Sequence, residues 1–253
     1  MPLSLLPAQI FGFFLVFSRL AALFMLAPAF GESQIPQRVR LALALTTSFL
    51  VYLAVSNELP AMPEQPWLLA VRVAHEILIG LMIAAAARLI MSALHVAGTV
   101  IAFQTSLAFS QQFDPTQGSQ SAVTASFMAL TGVVLIFASD LHLMVLRALL
   151  DSYALFPAQG GLPIGDFAKL VTDLVASSFT LGIKMSAPFL VFGLVFNIGL
   201  GLIARLMPQL PIFFVALPLN IATGFVLLLL VLPAVMMLFM GEFEASLAPF
   251  LGS

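Results

Sequence analysis

Long apolar stretches broken by short clusters of Pro, Gly and polar residues run the length of the chain. A helix needs about 20 apolar residues to cross the roughly 30 Å hydrocarbon layer of a bilayer. The first such stretch covers about 5–27 and is stopped by "APAFGESQIPQR", where Pro28, Gly31 and Pro36 are the breakers. The second covers about 37–57 and ends at "NELPAMPEQP", which holds three prolines. A third helical region, about 67–109, is too long for one straight span, and Gly80 and Gly98 are its expected bending points. A fourth covers about 120–155. The fifth covers about 166–206 with Pro188 inside it, and the sixth about 209–240 with Pro211, Pro218 and Pro233. Interior prolines remove backbone bonds, but membrane helices tolerate them where neighbours supply partners. No strand-like alternation persists and no internal repeat is visible. The pattern predicts an all-α, polytopic membrane-associated protein of about six long hydrophobic helical regions with Pro and Gly breaks, forming one domain over 1–253.

Composition sharpens this picture. Of 253 residues, 62% are hydrophobic and 8% charged, against about 25% charged in a soluble domain. So few charges cannot cover a water-facing surface, and lipid or apolar subunits are expected to cover much of it. The net charge is −2 and the nine basic residues are scattered, which gives no nucleic-acid footprint. The absence of Cys excludes disulfides and thiolate chemistry. No Lys or Arg precedes Arg19, which itself sits inside the first apolar run, so that run is expected to be a retained helix and not a secretory signal.

Two polar stripes cross the apolar helices. Asp166, Lys169, Asp173, Ser177, Thr180 and Lys184 are spaced 3, 4, 4, 3 and 4 residues apart. They therefore share one helix face. Such a face is either a helix end emerging into water or a surface that meets a wet cavity or a polar subunit. Lys184, deep in the apolar register, favours the second, because an unpaired ammonium there is costly. The other stripe is Arg72, Glu76, Gly80, Ala84, Arg88, Ser92, His95 and Thr99, stepping mostly by four. A four-residue step drifts around the helix, so the two ends of this row face different neighbours. Small residues in such a ridge let helix backbones approach closely. Arg72 and Glu76 are spaced to pair along the helix, and Arg88 is expected to meet a carboxylate from another helix or subunit.

Candidate chemistry is sparse. Asp140, His142, Arg147 and Asp151 in "DLHLMVLRALLD" read as a helix end at the membrane surface in preference to a proton relay. His75 and His95 lie 20 residues apart with no carboxylate cluster between them, which does not make a metal site. No phosphate-binding, zinc-protease or nucleophile-elbow motif occurs. These observations predict a protein that is not an enzyme and needs no cofactor or metal.

The run "AFSQQFDPTQGSQSAV", 108–123, stands apart. Its one charge, Asp114, is flanked by 25-residue stretches free of charge at 89–113 and 115–139. Ser, Gln and Gly cannot hold themselves in an apolar core, so the run needs a wet cavity or a partner. Asp114-Pro115 is a turn signal that ends a helix, and Phe103, Phe109 and Phe113 flank the polar tip. The run is either a connection between helices or a working part set in an apolar frame.

Four blocks in order complete the reading: "SRLAALFMLAPAFGESQIPQRVRLALAL", "HEILIGLMIAAAARLIMSALHVAGTVIAFQ", "FDPTQGSQSAV" and "NIGLGLIARLMPQLPIFFVALPL". Together they resemble the FliR family of flagellar biosynthesis, whose injectisome counterpart is SctT, over about 10–235. Thr99, Leu107 and Pro211 depart from what family members often carry. The resemblance implies a non-enzymatic structural subunit of the flagellar type III protein export gate. That places it in the bacterial inner membrane at the flagellar basal body, forming part of a protein-conducting channel for unfolded cargo. It implies packing as helical hairpins in a hetero-oligomeric, cone-like assembly with FliP-type and FliQ-type subunits, and an FlhB-type subunit around the entrance. The family's loop matching about 106–122 is a channel plug, which makes Phe109, Phe113, Asp114, Pro115, Gln117 and Gly118 the candidate plug residues. Arg72, Glu76, Arg88, Asp173 and Lys184 are the candidate polar assembly residues. Because such gates sit largely above the bilayer plane, the six stretches are helical regions and need not be ordinary spans. The runner-up reading is a secondary transporter that uses the intramembrane charges.

Overall fold

The computed structural model describes residues 6–32, 35–56, 58–108, 123–157, 164–209 and 212–252. Among the described residues seven α-helices follow one another: α1 (Leu6–Leu26), α2 (Gln37–Val55), α3 (Pro66–Gln104), α4 (Val123–Ala138), α5 (Leu141–Leu155), α6 (Ile164–Leu206) and α7 (Ile212–Leu247). A short 3-10 turn at Ala248–Phe250 ends the series, and no strand occurs among the described residues. Five helices are long and apolar enough to cross a membrane, or six spans if α4 and α5 count as one bent span. The protein is a polytopic helical protein, as its hydrophobic pattern predicts.

Three details differ from that pattern. The fourth region is two helices bent by 69° at Ser139–Asp140. Asp140 sits at φ 58, ψ 14, a left-handed conformation that Asp tolerates better than most side chains because its short polar group can bond locally. The third region is one continuous helix that ends at Gln104, short of the expected 109. Gly80 and Gly98 do not interrupt it. A Cβ at Gly80 would collide with the backbone carbonyl of Arg19, and one at Gly98 with the backbone of Ala125. Both glycines are points where a neighbouring helix backbone comes too close for any side chain. The last helix runs on to Leu247, through Pro218 and Pro233.

The chain forms two compact units, residues 1–89, 136–175 and 243–253 in one and 90–135 and 176–242 in the other. In the first unit α1 and α2 pack as a hairpin and α5 packs on the C-terminal 3-10 turn. Leu15, Leu20, Leu23, Ile79, Ile83 and Phe250 are fully buried there. Pro28, with no N–H to extend the helix, follows the end of α1. The chain turns through Ala29 at φ 73, and the Gly31 amide donates to the Ala27 carbonyl at 2.7 Å. Arg40 from α2 fastens this turn, donating to the carbonyls of Phe30 (3.1 Å) and Glu32 (2.9 Å).

In the second unit Ile90, Leu94, Ala97 and Ile101 of α3 repeat at helical spacing and are buried, as are Met128, Met185, Phe189 and Phe239. The hydroxyls of Thr131, Thr180 and Thr223 each donate to the carbonyl four residues back in their own helix, which lets them sit on apolar helices at little cost, and Thr105, just past α3, does the same to Ile101. Helix α6 is unlike α3: 11% of its apolar window is buried, against 61% for α3. Leu181, Met185 and Phe189 are among its buried apolar contacts, and most of its other apolar side chains are exposed.

Candidate functional site

Among the described residues the largest fully buried side chain is that of Arg19, in the middle of α1. Its Nε donates to Glu76 Oε2 of α3 at 2.6 Å, and both side chains are 0% exposed. Nη1 donates to Ser152 Oγ (2.9 Å) and Nη2 to the Phe156 carbonyl (3.2 Å). The guanidinium also lies 3.8 Å above the centre of the Tyr153 ring, where the ring's electron-rich face attracts a cation. One cation thereby ties α1, α3 and α5 together. The planar fork of Arg suits this task, since it serves several acceptors at once where a lysine would serve as a point charge. Glu76 Oε1 and the Tyr153 hydroxyl are buried beside it and have no hydrogen-bond partner among the described residues.

Sequence reasoning named Glu76 but gave it the wrong partner. Arg72, one turn away on the same helix, donates instead to the Ala61 carbonyl at 2.7 Å, and the expected Arg72–Glu76 pair is not formed. Arg19 was missed as a site residue. The available signal was a lone cation in one apolar run and a lone carboxylate in another, which can be buried together only as a pair. Arg88 does find a carboxylate: its Nη1 lies 2.7 Å from Glu32 Oε1, in the turn that Arg40 fastens. This pair is partly exposed, at 44% and 25% for the two side chains. The α3 stripe drifts as its spacing requires. Glu76, Gly80 and Ala84 point inward, while Arg88, His95 and Thr99 are exposed. On α5, Asp151 Oδ2 accepts from the Gly252 amide at 3.0 Å and so fastens the C-terminal turn.

The α6 stripe is intact. Asp166, Lys169, Asp173, Ser177, Thr180 and Lys184 are all exposed. Beyond Lys184 the exposed face turns apolar, with Val191, Leu194, Val195, Ile198 and Leu202 each at least 57% exposed. The sequence from Met185 to Leu206 holds a single charge, Arg205.

The end of α3 is gripped from two helices. Asn220 of α7 donates both amide hydrogens, to the Gln104 carbonyl (3.1 Å) and to Ser106 Oγ (2.7 Å). Ser106 stands at φ 61, and its amide bonds three residues back to Phe103. One turn further along α7, Gly224 leaves room for Thr105, whose Cγ2 lies 2.5 Å from where a Cβ would stand. Gly193 of α6 likewise leaves room for the Gln104 side chain. Leu107 and Ala108 pack against Ala102 and Ala125. The polar run begins here. Phe109, Phe113, Asp114, Pro115, Gln117 and Gly118 lie outside the described residues.

The family model described as bacterial export proteins, family 1, matches residues 10–246, nearly the whole chain. The chain belongs to this export-protein family. Its relatives include the flagellar biosynthetic protein FliR of Caulobacter vibrioides, 39% identical over 239 residues that cover 94% of this chain and 95% of that protein. The FliR protein of Pectobacterium carotovorum is 33% identical over 88% of this chain and 85% of its own. That of Escherichia coli is 30% identical over 86% and 82%. The matched stretch of this export protein takes in the Arg19 network, the α6 stripe and the junction at the end of α3.

Proposed function

We propose that this chain is a structural, non-enzymatic subunit of the flagellar type III protein export gate, acting as one domain and contributing to a protein-conducting channel in the bacterial inner membrane. The observation that carries the reading, beyond family membership, is the exposed face of α6. Lipid cannot solvate Asp166, Lys169, Asp173 and Lys184, while water alone would not favour the apolar flanks around them. A polar face of another subunit, or a wet channel, satisfies both. FliP-type, FliQ-type and FlhB-type subunits are the partners this predicts, with unfolded exported protein as cargo.

Helix length supports the same reading. At 1.5 Å per residue the 43 residues of α6 reach about 65 Å, roughly twice the hydrocarbon thickness. The polar stripe from Asp166 to Lys184 takes about 27 Å of this and Met185–Leu206 about 33 Å. The second half matches one membrane crossing, and the striped half is then free to stand in the gate outside the hydrocarbon layer. Against a transporter, the buried charges of α1 and α3, Arg19 and Glu76, are committed to each other.

Within this gate the polar run 106–122 is the channel plug. It can enter a wet channel without bringing in more than the charge of Asp114, and Phe109 and Phe113 supply an apolar stopper beside the polar tip. The test is co-expression with FliP-type and FliQ-type subunits. Deleting Pro115–Gln120 should leave assembly intact and raise membrane conductance only when the partners are present. Normal assembly with unchanged conductance would rule out the plug. Lys184→Met, which keeps length and removes the charge, should reduce co-purification of partners and export together. Lost export with an intact complex would move Lys184 from assembly to the channel itself.

A further inference from the structure

We infer that Asn220 is a positioning residue that fixes the end of α3 against α7, and with it the point and direction from which the polar run departs. This deepens the plug reading and rests on it. A helix end leaves its last carbonyls without partners in the helix. At the end of α3 one of them, that of Gln104, is taken by Asn220 Nδ2. The other hydrogen of the same amide goes to Ser106 Oγ. Ser106 is in the left-handed region at φ 61, which is unfavourable for a side chain other than Gly, Asn or Asp, and the bond from Asn220 offsets that cost where the chain turns away from the helix axis.

The grip extends over three consecutive residues, each with its own receptor. Gln104 lies against Gly193, Thr105 against Gly224, and Ser106 on Asn220. Thr105 is 1% exposed and stiff about χ1, so it keys the end of α3 into α7 one turn from Asn220. Asn220 is itself 7% exposed, and its Oδ1 has no partner among the described residues. Leaving a buried acceptor idle is unfavourable. A leucine would avoid that penalty at similar volume, but it would supply neither donor. The asparagine is thus explained by the junction and not by the core around it.

The experiment uses the full chain assembled with its gate partners in membranes. Asn220→Leu removes both donors at similar volume. Hydrogen exchange over 101–108 should rise about thirtyfold, the scale of two lost hydrogen bonds, with the α1–α2 hairpin unchanged. Membrane conductance should rise toward that of the Pro115–Gln120 deletion. Asn197→Leu is the control, because among the described residues Asn197 Nδ2 bonds the Gly193 carbonyl of its own helix at 2.8 Å, and it should alter neither exchange over 101–108 nor conductance. Unchanged exchange in Asn220→Leu overturns the inference. So does raised exchange without conductance when the deletion does conduct, since the anchor would then not position the run. If the deletion itself fails to conduct, the plug reading falls separately and takes the positioning role with it, whatever the exchange shows. Should Asn220→Leu fail to assemble, Ser106→Ala carries the same test by removing only the hydroxyl. It should raise exchange severalfold, and no rise overturns the inference.

Discussion

Replacing Glu76 by Gln would leave the Arg19 guanidinium buried without a counter-charge. The change keeps shape and one acceptor oxygen, so the loss is one of charge and not of volume. Arg19 is 0% exposed and its remaining polar and ring partners among the described residues are the Ser152 hydroxyl, the Phe156 carbonyl and the Tyr153 ring, none of which carries a negative charge. Breaking a buried ion pair by removing one member typically costs about 3–5 kcal/mol. At about 2–4 °C per kcal/mol for a chain of this size, the melting midpoint should fall by about 10 °C. Fluorescence-detected size exclusion of a heated detergent extract, with a C-terminal fluorescent fusion, reads this without purification. Replacing both partners, Arg19→Met with Glu76→Leu, should recover most of the loss, because it removes two desolvated charges together. A Glu76→Gln midpoint within about 2 °C of the unaltered protein would refute the reasoning, as would a double variant no better than the single one.

Arg88→Ala should cost less than about 1 kcal/mol in the same assay, since the pair with Glu32 is partly exposed and solvent screens it. Gly98→Ala should lower stability by about 1–3 kcal/mol by forcing α3 from the Ala125 backbone. Gly199→Ala, with nothing within 4 Å of the added Cβ, should instead gain about 0.5–1 kcal/mol from helix propensity. At the α4–α5 elbow, Asp140→Val should cost about 1–2 kcal/mol, since a β-branched residue resists the left-handed backbone at φ 58, while Asp140→Gly should be tolerated. Equal midpoints for these two would show that the elbow is not held by that backbone conformation.

By itself the sequence determined the helices and their order, because apolar runs of membrane length and clusters of Pro and Gly act locally, through backbone satisfaction and chain breaking. It determined the α6 stripe for the same reason: a period of 3, 4, 4, 3 and 4 residues is a property of one helix, and the face it defines is exposed as a unit. The four ordered blocks were enough to suggest the export family that the comparison over residues 10–246 establishes. What joins one helix to another was decided only by the tertiary structure. Arg72 and Glu76 were spaced to pair and did not, because burial next to Arg19 offers Glu76 a desolvated counter-charge that outweighs a helix-surface neighbour. Gly80 and Gly98 read as hinges and are contact points, since periodicity along one helix carries no information about the backbone that lies across it. The elbow at Asp140 escaped for want of a Pro or Gly, and Asn220 because one amide in a long apolar helix has no pattern. Its meaning comes from the end of α3, 114 residues away from it at Ser106, and only the fold brings that carbonyl and that hydroxyl within reach of one nitrogen.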